Sequence, residues 1–445
     1  MTLFPIYDLA EAQATILKRR PPDEFDVTES LLDGIERIFG ERLTPDQTVR
    51  RIIADVREQG DTALYEWTRR IDGVEMDSLI VSSAEIERAS EQIDADVMQA
   101  MELAARRIED FHQRQPVSSW IHSTPQGTLG QLITSIERVG VYVPGGTAPL
   151  PSTLLMSAIP AKVAGVNEIV VATPPKEGGR IPPVILAAAH VAGVDHVIRL
   201  GGVMAVAALA YGTETIRPVL KIVGPGNLFV SLAKRQVYGT VGIDGIYGPT
   251  ETMVIADSTA DPALIAGDLL AQAEHDVLAS AILVTPDRDL AEATAREVES
   301  RVRDLSRADI LRESLPHRGG VVIVADLSEA FAVANEYAVE HLQLSVANPM
   351  SWLGRVKNAG ALFLGEHSFE VLGDYVAGPS HSLPTGGTAR FASGLNVLDF
   401  VKLTAVIGLE PEAAADLSAP AAALAHAEQL TAHAAAAEAR RNPHD

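Results

Sequence analysis

The chain contains no cysteine in 445 residues. Disulfides, thiolate metal ligands and thiol nucleophiles are excluded together. An enzyme of this sequence that oxidised an aldehyde would have to activate water, because no thiohemiacetal can form. Positive charge is scarce as well: 36 Lys and Arg stand against 59 Asp and Glu, a formal charge of −23. Neutralising nucleic-acid phosphates or docking on an anionic membrane needs a clustered basic surface, so neither is an expected partner. Long apolar runs are also missing, with no stretch of about 18 such residues. The opening MTLFPIYDLAEAQATILKRR lacks a basic segment followed by an apolar one, so a cytoplasmic protein is expected.

What is present reads as a globular enzyme. Hydrophobic residues make up 47%, charged residues 21%, and the length allows two or three domains around a sizeable core. Residues 28–113 carry apolar positions at helical spacing, in SLLDGIERIFG, DQTVRRIIADVREQGDTALYEWTRRID and DADVMQAMELAARRIEDFHQRQ. Thr44, Pro45 and Gln47 form a capping box with proline at the first helical position, and Asp94 is a candidate cap for the third helix. From about residue 130 strand-like runs (RVGVYVP, EIVVATPP, HVIRLGG, VLKIVGPG) alternate with helical ones, and a second such series follows from ETMVIAD to GALFLG.

Alternation of this kind predicts an α/β fold of two doubly wound, Rossmann-like parallel-sheet domains, with a helical N-terminal region and a C-terminal helical tail. The expected boundaries are an extension over 1–28, a helical region over 29–128, a nucleotide-side domain over 129–247, a second domain over 248–385, and a helical dimerisation tail over 386–445.

Several segments carry chemistry. In DLLAQAEHD, Gln272 and His275 stand three apart, which on a helix puts them on one face with an amide oxygen and an imidazole nitrogen suited to zinc. A histidine on an apolar helix is more often a satisfied core residue, so further ligands must come from elsewhere. Asp374 and His381 lie in the Gly/Pro-rich GDYVAGPSHSLPTGG, and His426 and His433 are seven apart in the Ala-rich tail. Adjacent Glu340 and His341 follow a helix; only a turn would aim both into one cleft as an acid/base pair, and a charged surface turn is the plain alternative. VYVPGGTAPLPST and VGPGN are Gly-rich turns after strands, able to approach a phosphate or required only for sterics. Asn227 either binds a ligand or caps a helix.

The ordered blocks VYVPGG, GGVMAVAALAYGTETI, VGPGN, AKRQVYGTVGID, GPTETMVIAD, DLLAQAEHD, EHL at 340–342, GDYVAGPSHSLPT and EQLTAH together resemble the histidinol dehydrogenase family, from about residue 30 onward. The resemblance implies an NAD-dependent homodimer with one Zn2+ per subunit, oxidising L-histidinol to L-histidine in two steps through an aldehyde, the last reactions of histidine biosynthesis. It implies zinc ligands at Gln272, His275, Asp374 and His433, and a catalytic pair at Glu340 and His341. Substrate contacts fall on Thr250, His381 and Glu428 as well as on His341 and the zinc ligands, and NAD contacts on Tyr142, Met204 and Asn227. Glu428 and His433 are implied to complete the partner's site.

The sequence departs from the family pattern at Met204, where Gln is common, and at Thr250, where Ser is usual. Val339, Ser380 and Gln343 replace a frequent Pro, Asn and acidic residue. Thr250 is shared with a branch that oxidises dihydroxypropanesulfonate, so a paralogous dehydrogenase of another small polyol is the alternative. A zinc hydrolase using Glu340 as base is a more distant one.

Overall fold

The computed structural model describes residues 2–19, 27–145 and 149–441. It divides into two compact units, Met1–Arg114 with Glu137–Asp399, and Gln115–Ile136 with Phe400–Asp445.

The first unit opens with a short strand, β1 (Ile6–Asp8), and a one-and-a-half-turn helix capped by Asp8, followed by the N-terminal helices Glu29–Phe39, Pro45–Gln59, Asp61–Asp72, Ser83–Ala89 and Ala95–Gln113. The capping box at Thr44 is formed in both directions: the Thr44 hydroxyl accepts from the Gln47 amide, and the Gln47 side chain accepts from the Thr44 amide. Asp94 holds the N-cap position of its helix, yet its side chain accepts no capping bond. That helix is fixed instead by burying Met101, Ala104 and Ile108. The chain then forms β2 (Trp120–Thr124) and β3 (Gly127–Ser135) of the second unit before returning to the first.

Two parallel sheets follow in the first unit. One is built from β4 (Arg138–Tyr142), β5 (Glu168–Thr173), β6 (His196–Arg199), β7 (Lys221–Val223) and β8 (Gly242–Ile243), in the spatial order β6-β5-β4-β7-β8. The other uses β9 (Glu251–Ala256), β10 (Ser280–Thr285), β11 (Gly319–Ile323), β12 (His341–Ser345) and β13 (Ala361–Leu364), in the order β1-β11-β10-β9-β12-β13. All their pairings are parallel. Apart from β1 on its edge, the second sheet repeats the strand order of the first, so the doubly wound pattern occurs twice. Parallel strands covered on both faces must be apolar throughout, and β9 shows why: Val254 and Ala256 face one core layer, Met253 and Ile255 the other.

The second unit is a three-stranded antiparallel sheet in which β14 (Val401–Leu409) pairs with β3 over its full length, followed by the helices Pro411–Ala427 and Thr431–Glu438. The expected helical tail over 386–445 therefore begins with residues of the first unit and a strand. Its helical part is also broken, by Gln429 at φ +60. As a result His426 and His433 sit on different helices and do not share one face; His426 Nε2 instead meets Glu438 Oε1 at 3.1 Å.

Candidate active site

The polar cluster forms at the amino ends of two neighbouring strands of the second sheet. Thr250 directly precedes β9, Glu340 directly precedes β12, and β12 pairs with β9 so that His341 lies beside Thr252. Ligands of open α/β sheets usually gather at the carboxyl ends of the strands, so the strand pattern alone does not point here. The preceding helix stops at Tyr337, and Ala338 adopts φ 55. This left-handed residue turns the chain so that Glu340 and His341 both face inward, 6% and 3% exposed. Gly360 allows β13 to close against them, since a Cβ there would overlap the Glu340 carbonyl oxygen.

Glu340 Oε2 accepts the Thr250 hydroxyl at 2.8 Å and the Glu251 amide at 3.0 Å. Thr250 Oγ1 also lies 3.0 Å from Gln272 Oε1, and Gln272 Nε2 donates to Asp374 Oδ2 at 3.3 Å. His341 Nδ1 lies 3.5 Å from Glu340 Oε2 and its Nε2 lies 3.7 Å from Asp374 Oδ1. His381 Nδ1 faces the Asp374 carbonyl at 2.8 Å, and its Nε2 faces the Thr153 hydroxyl at 3.3 Å. Thr250, Gln272, Glu340, His341, Asp374 and His381 thus form one connected group. His275 belongs with it electrostatically, being coupled to both Asp374 and His341. It does not stand on the helix with Gln272, however: that helix ends at Ala273 and Glu274 caps it, so His275 leaves from the turn beyond. Glu428 and His433 lie on the second unit, the first at the end of one tail helix and the second on the other.

Burial governs the electrostatics. Desolvation pushes the Glu340 carboxyl up to about 7, against the pull of His341 and the Thr250 hydrogen bond. Desolvation favours the neutral form of His341, but Glu340, Asp374 and Glu370 outweigh it and raise the imidazole to about 10. Asp374 is held below the usual carboxylate range: its neighbouring histidines, His341 foremost, overcome its desolvation. His275 and His381 are both lowered by burial, hence neutral near pH 7.

A second polar tier lies beneath. Glu370, one helical turn before Asp374 and fully buried, accepts the Thr252 hydroxyl and is raised by burial to about 8. Asp268, one turn before Gln272, accepts from Gln343 Nε2 at 2.7 Å and is raised by burial to about 6. Gln343, in place of a second acid, satisfies Asp268 without the two sharing a proton. Neither Glu370 nor Asp268 was flagged by spacing, although each sits four residues before a site residue and therefore under it on the same helix face.

The metal question can be put to the donor set. Gln272 and Asp374 touch, His275 is a neutral imidazole coupled electrostatically to Asp374, and the buried His341 Nε2 has no hydrogen-bond partner. An amide oxygen, an ionised carboxylate and a neutral imidazole are oxygen and nitrogen donors that zinc accepts. A divalent cation here would also offset the carboxylates that now hold His341 protonated. Among the described residues no three His, Asp or Glu side chains form a metal-holding group.

Tyr142, Met204 and Asn227 converge elsewhere, lining a largely apolar cavity of about 640 Å³ with Phe39, Asp72 and Lys176. Tyr142 ends β4 and Asn227 follows β7, so the cavity opens where the first sheet reverses its strand order. Burial keeps the Tyr142 phenol neutral, pushed up to about 12, and its oxygen accepts the Gly202 amide at 3.1 Å. Asn227 serves both readings: Oδ1 caps its helix by accepting from the Phe229 and Val230 amides, while the residue still borders the cavity. The loop before it is pinned by a buried ion pair. Lys234 Nζ bonds Asp244 and the Gly224 carbonyl, and Asp244 Oδ2 accepts the Gly224 amide at 2.7 Å. A Cβ at Gly224, φ 111, would overlap the Tyr142 carbonyl, so glycine is what lets the loop close on β4. Residues 146–148 of the first Gly-rich turn lie outside the described residues. From Tyr142 the chain leads to the helix Pro151–Val163, whose Thr153 and Met156 touch His381 and Ser380, so one short stretch borders both the cavity and the polar cluster.

Comparison with known proteins gives the family. The family described as histidinol dehydrogenase matches residues 41–441. The chain is similar to histidinol dehydrogenase of Deinococcus radiodurans, with 49% identity over 433 residues, covering 97% of this chain and 98% of the relative. It is similar to that of Thermus thermophilus at 51% identity over 398 residues, covering 89% and 95%. The crystal structure of histidinol dehydrogenase from Elizabethkingia anophelis superposes with a TM-score of 0.89 at 34% identity, covering 99% of this chain and 98% of the other.

Proposed function

Because the chain belongs to the histidinol dehydrogenase family, we propose that its buried Glu340–His341 pair carries out the two proton transfers of an NAD-dependent oxidation of L-histidinol to L-histidine. The observation that carries the assignment is the inequality of their polar atoms. His341 Nδ1 faces the Glu251 carbonyl at 3.3 Å, which can only accept, so that nitrogen carries the hydrogen and Nε2 is the basic atom. Glu340 Oε2 is occupied by Thr250 and Glu251, while Oε1 makes no hydrogen bond among the described residues.

In the first oxidation His341 Nε2 takes the carbinol proton as hydride leaves the carbon; this role needs the neutral imidazole, which a bound cation would favour by offsetting the carboxylates that raise His341. In the second, Glu340 Oε1 takes a proton from water attacking the aldehyde carbon; the hydrate then loses hydride and a proton to give the carboxylate. A carboxyl near 7 is well placed for this, because a base works best with a pKa close to the working pH. No thiol is needed, in keeping with a chain free of cysteine. NAD, in the cavity of Tyr142, Met204 and Asn227, supplies the hydride acceptor.

Gln272, His275 and Asp374 are the residues of the first unit that would hold one zinc ion, with His433 as fourth ligand; when bound, the metal supplies a Lewis-acidic anchor for the substrate's imidazole and amine nitrogens. Thr250 and His381 border the same space, and Glu428 would pair with the substrate amine. We assign Glu428 and His433 to the site of a second copy. Supporting this, the second unit leaves much apolar surface uncovered, including Trp120, Ile121, Leu403, Ile407 and Leu424, at 52–73% exposure, more than an isolated sheet and helix pair tolerates. A cytoplasmic location belongs to the same reading. Among the described residues no helix is long and apolar enough to cross a membrane.

Purified protein tests the reading directly. Turnover of L-histidinol with NAD, loss of turnover on chelation, and no turnover of dihydroxypropanesulfonate are expected. Preference for the sulfonated diol, or hydrolysis without NAD, would replace the proposal.

A further inference from the structure

The family model matches from residue 41, and the segment before it reaches the back of the catalytic pair. β1 is added to the edge of the second sheet beside β11, and the chain then runs through the helix Leu9–Ala14 to Arg19. The Arg19 guanidinium makes a two-pronged ion pair with Glu251: Nη2 donates to Oε2 at 2.9 Å, and Nη1 donates to Oε1. Its Nε donates to the Tyr337 carbonyl at 2.9 Å, Nη2 reaches the Ala338 carbonyl at 3.3 Å, and the group lies 3.5 Å from the centre of the Tyr337 ring.

These are the elements that aim the pair. Glu251 holds Glu340 through its amide, at 3.0 Å, and His341 through its carbonyl, at 3.3 Å. Tyr337 and Ala338 are the turn that delivers Glu340. We propose that Arg19 is a positioning residue for the catalytic pair, locking strand β9 and the turn before β12 into one register. A planar fork is required, since a lysine ammonium cannot span a carboxylate and two carbonyls together.

The proposal rests on the roles given to Glu340 and His341, and its test separates the two. Arg19→Ala is expected to lower kcat by about 10- to 100-fold, the range that small misplacements of catalytic groups cost. KM for histidinol and for NAD should stay within about twofold, with metal content unchanged and the protein folded at the assay temperature. Arg19→Lys should recover only part of the rate. Lys18→Ala, on the same segment, should behave as the parent. Arg19, Glu251 and Tyr337 line a cavity of about 540 Å³, so added methylguanidinium should restore activity to Arg19→Ala.

Wild-type kcat in folded Arg19→Ala would overturn the proposal. If the alanine variant does not fold, Arg19→Lys and Arg19→Gln carry the same comparison. Glu340→Gln and His341→Asn distinguish the failures: if they are inactive while the Arg19 variants are not, only the positioning role falls; if they are active, the catalytic assignment itself falls.

Discussion

Replacing Thr250 by Val tests the chemistry of Glu340 with little change of shape. The Thr250 hydroxyl has one hydrogen and two acceptors in range, Glu340 Oε2 at 2.8 Å and Gln272 Oε1 at 3.0 Å. The carboxylate is closer and charged, so it takes the hydrogen. A hydrogen bond to a charged group contributes about 1.5–3 kcal/mol. It favours the ionised form, so its loss raises the Glu340 carboxyl by about 1–2 pH units, from about 7. At pH 7 the ionised fraction would fall from about one half to between about a tenth and a hundredth, a loss of about 5- to 50-fold in base-dependent rate. At pH 9 the loss should shrink to about twofold or less, because most of the carboxyl is ionised again. The assay is NADH formation from the aldehyde supplied directly, over pH 6–9.5, beside Thr250→Ser as a hydroxyl-retaining control. A Val variant slowed equally at all pH values, or an acid limb that does not move, would refute the reasoning.

Gln272→Ala and His275→Asn should each lower bound zinc, measured by elemental analysis of the purified protein, together with turnover; full metal content in either would remove that residue from the ligand set. Met204→Gln places an amide in the cavity where the parent offers only a thioether, and should lower KM for NAD about two- to tenfold, the range of one net hydrogen bond; an unchanged or higher KM would show that the cofactor does not reach this position. Glu370 bears on stability. Its folded carboxyl, near 8 by burial, lies above its unfolded value of about 4.3, so its contribution is fully present below that value and is lost as pH rises towards 8. The Tm of Glu370→Gln relative to the parent should therefore improve between pH 5 and pH 8, and a constant difference in Tm would contradict the assignment.

Local signals were the legible part of this fold. Alternating strands and helices announced two doubly wound sheets, and the Thr44 capping box formed as its spacing required, because both are decided within a few residues. The antiparallel sheet was not legible: β3 and β14 are separated by more than 260 residues, and pairing at that range leaves no trace in local periodicity. Asp94 looked like a cap by residue type, but a cap needs a side-chain geometry that type alone does not fix. The helical spacing of Gln272 and His275 failed for a similar reason. The helix ends between them, so they are coupled to the same carboxylate from a helix end and from a turn. Of the candidate residues far apart in sequence, Glu340, Asp374 and His381 were offered by residue type and local setting with plain alternatives open, and Thr250 came only with the motif resemblance. Their supports, Arg19, Glu251, Glu370 and Asp268, act by contact with other residues and carry no motif of their own.

The stoichiometry of the complete reaction bears most directly on the central claim, that one buried carboxylate–imidazole pair serves both oxidations in turn. With limiting L-histidinol and excess NAD, the account predicts two NADH and one L-histidine per histidinol, with no free aldehyde. One NADH per histidinol with aldehyde accumulating in solution would contradict it.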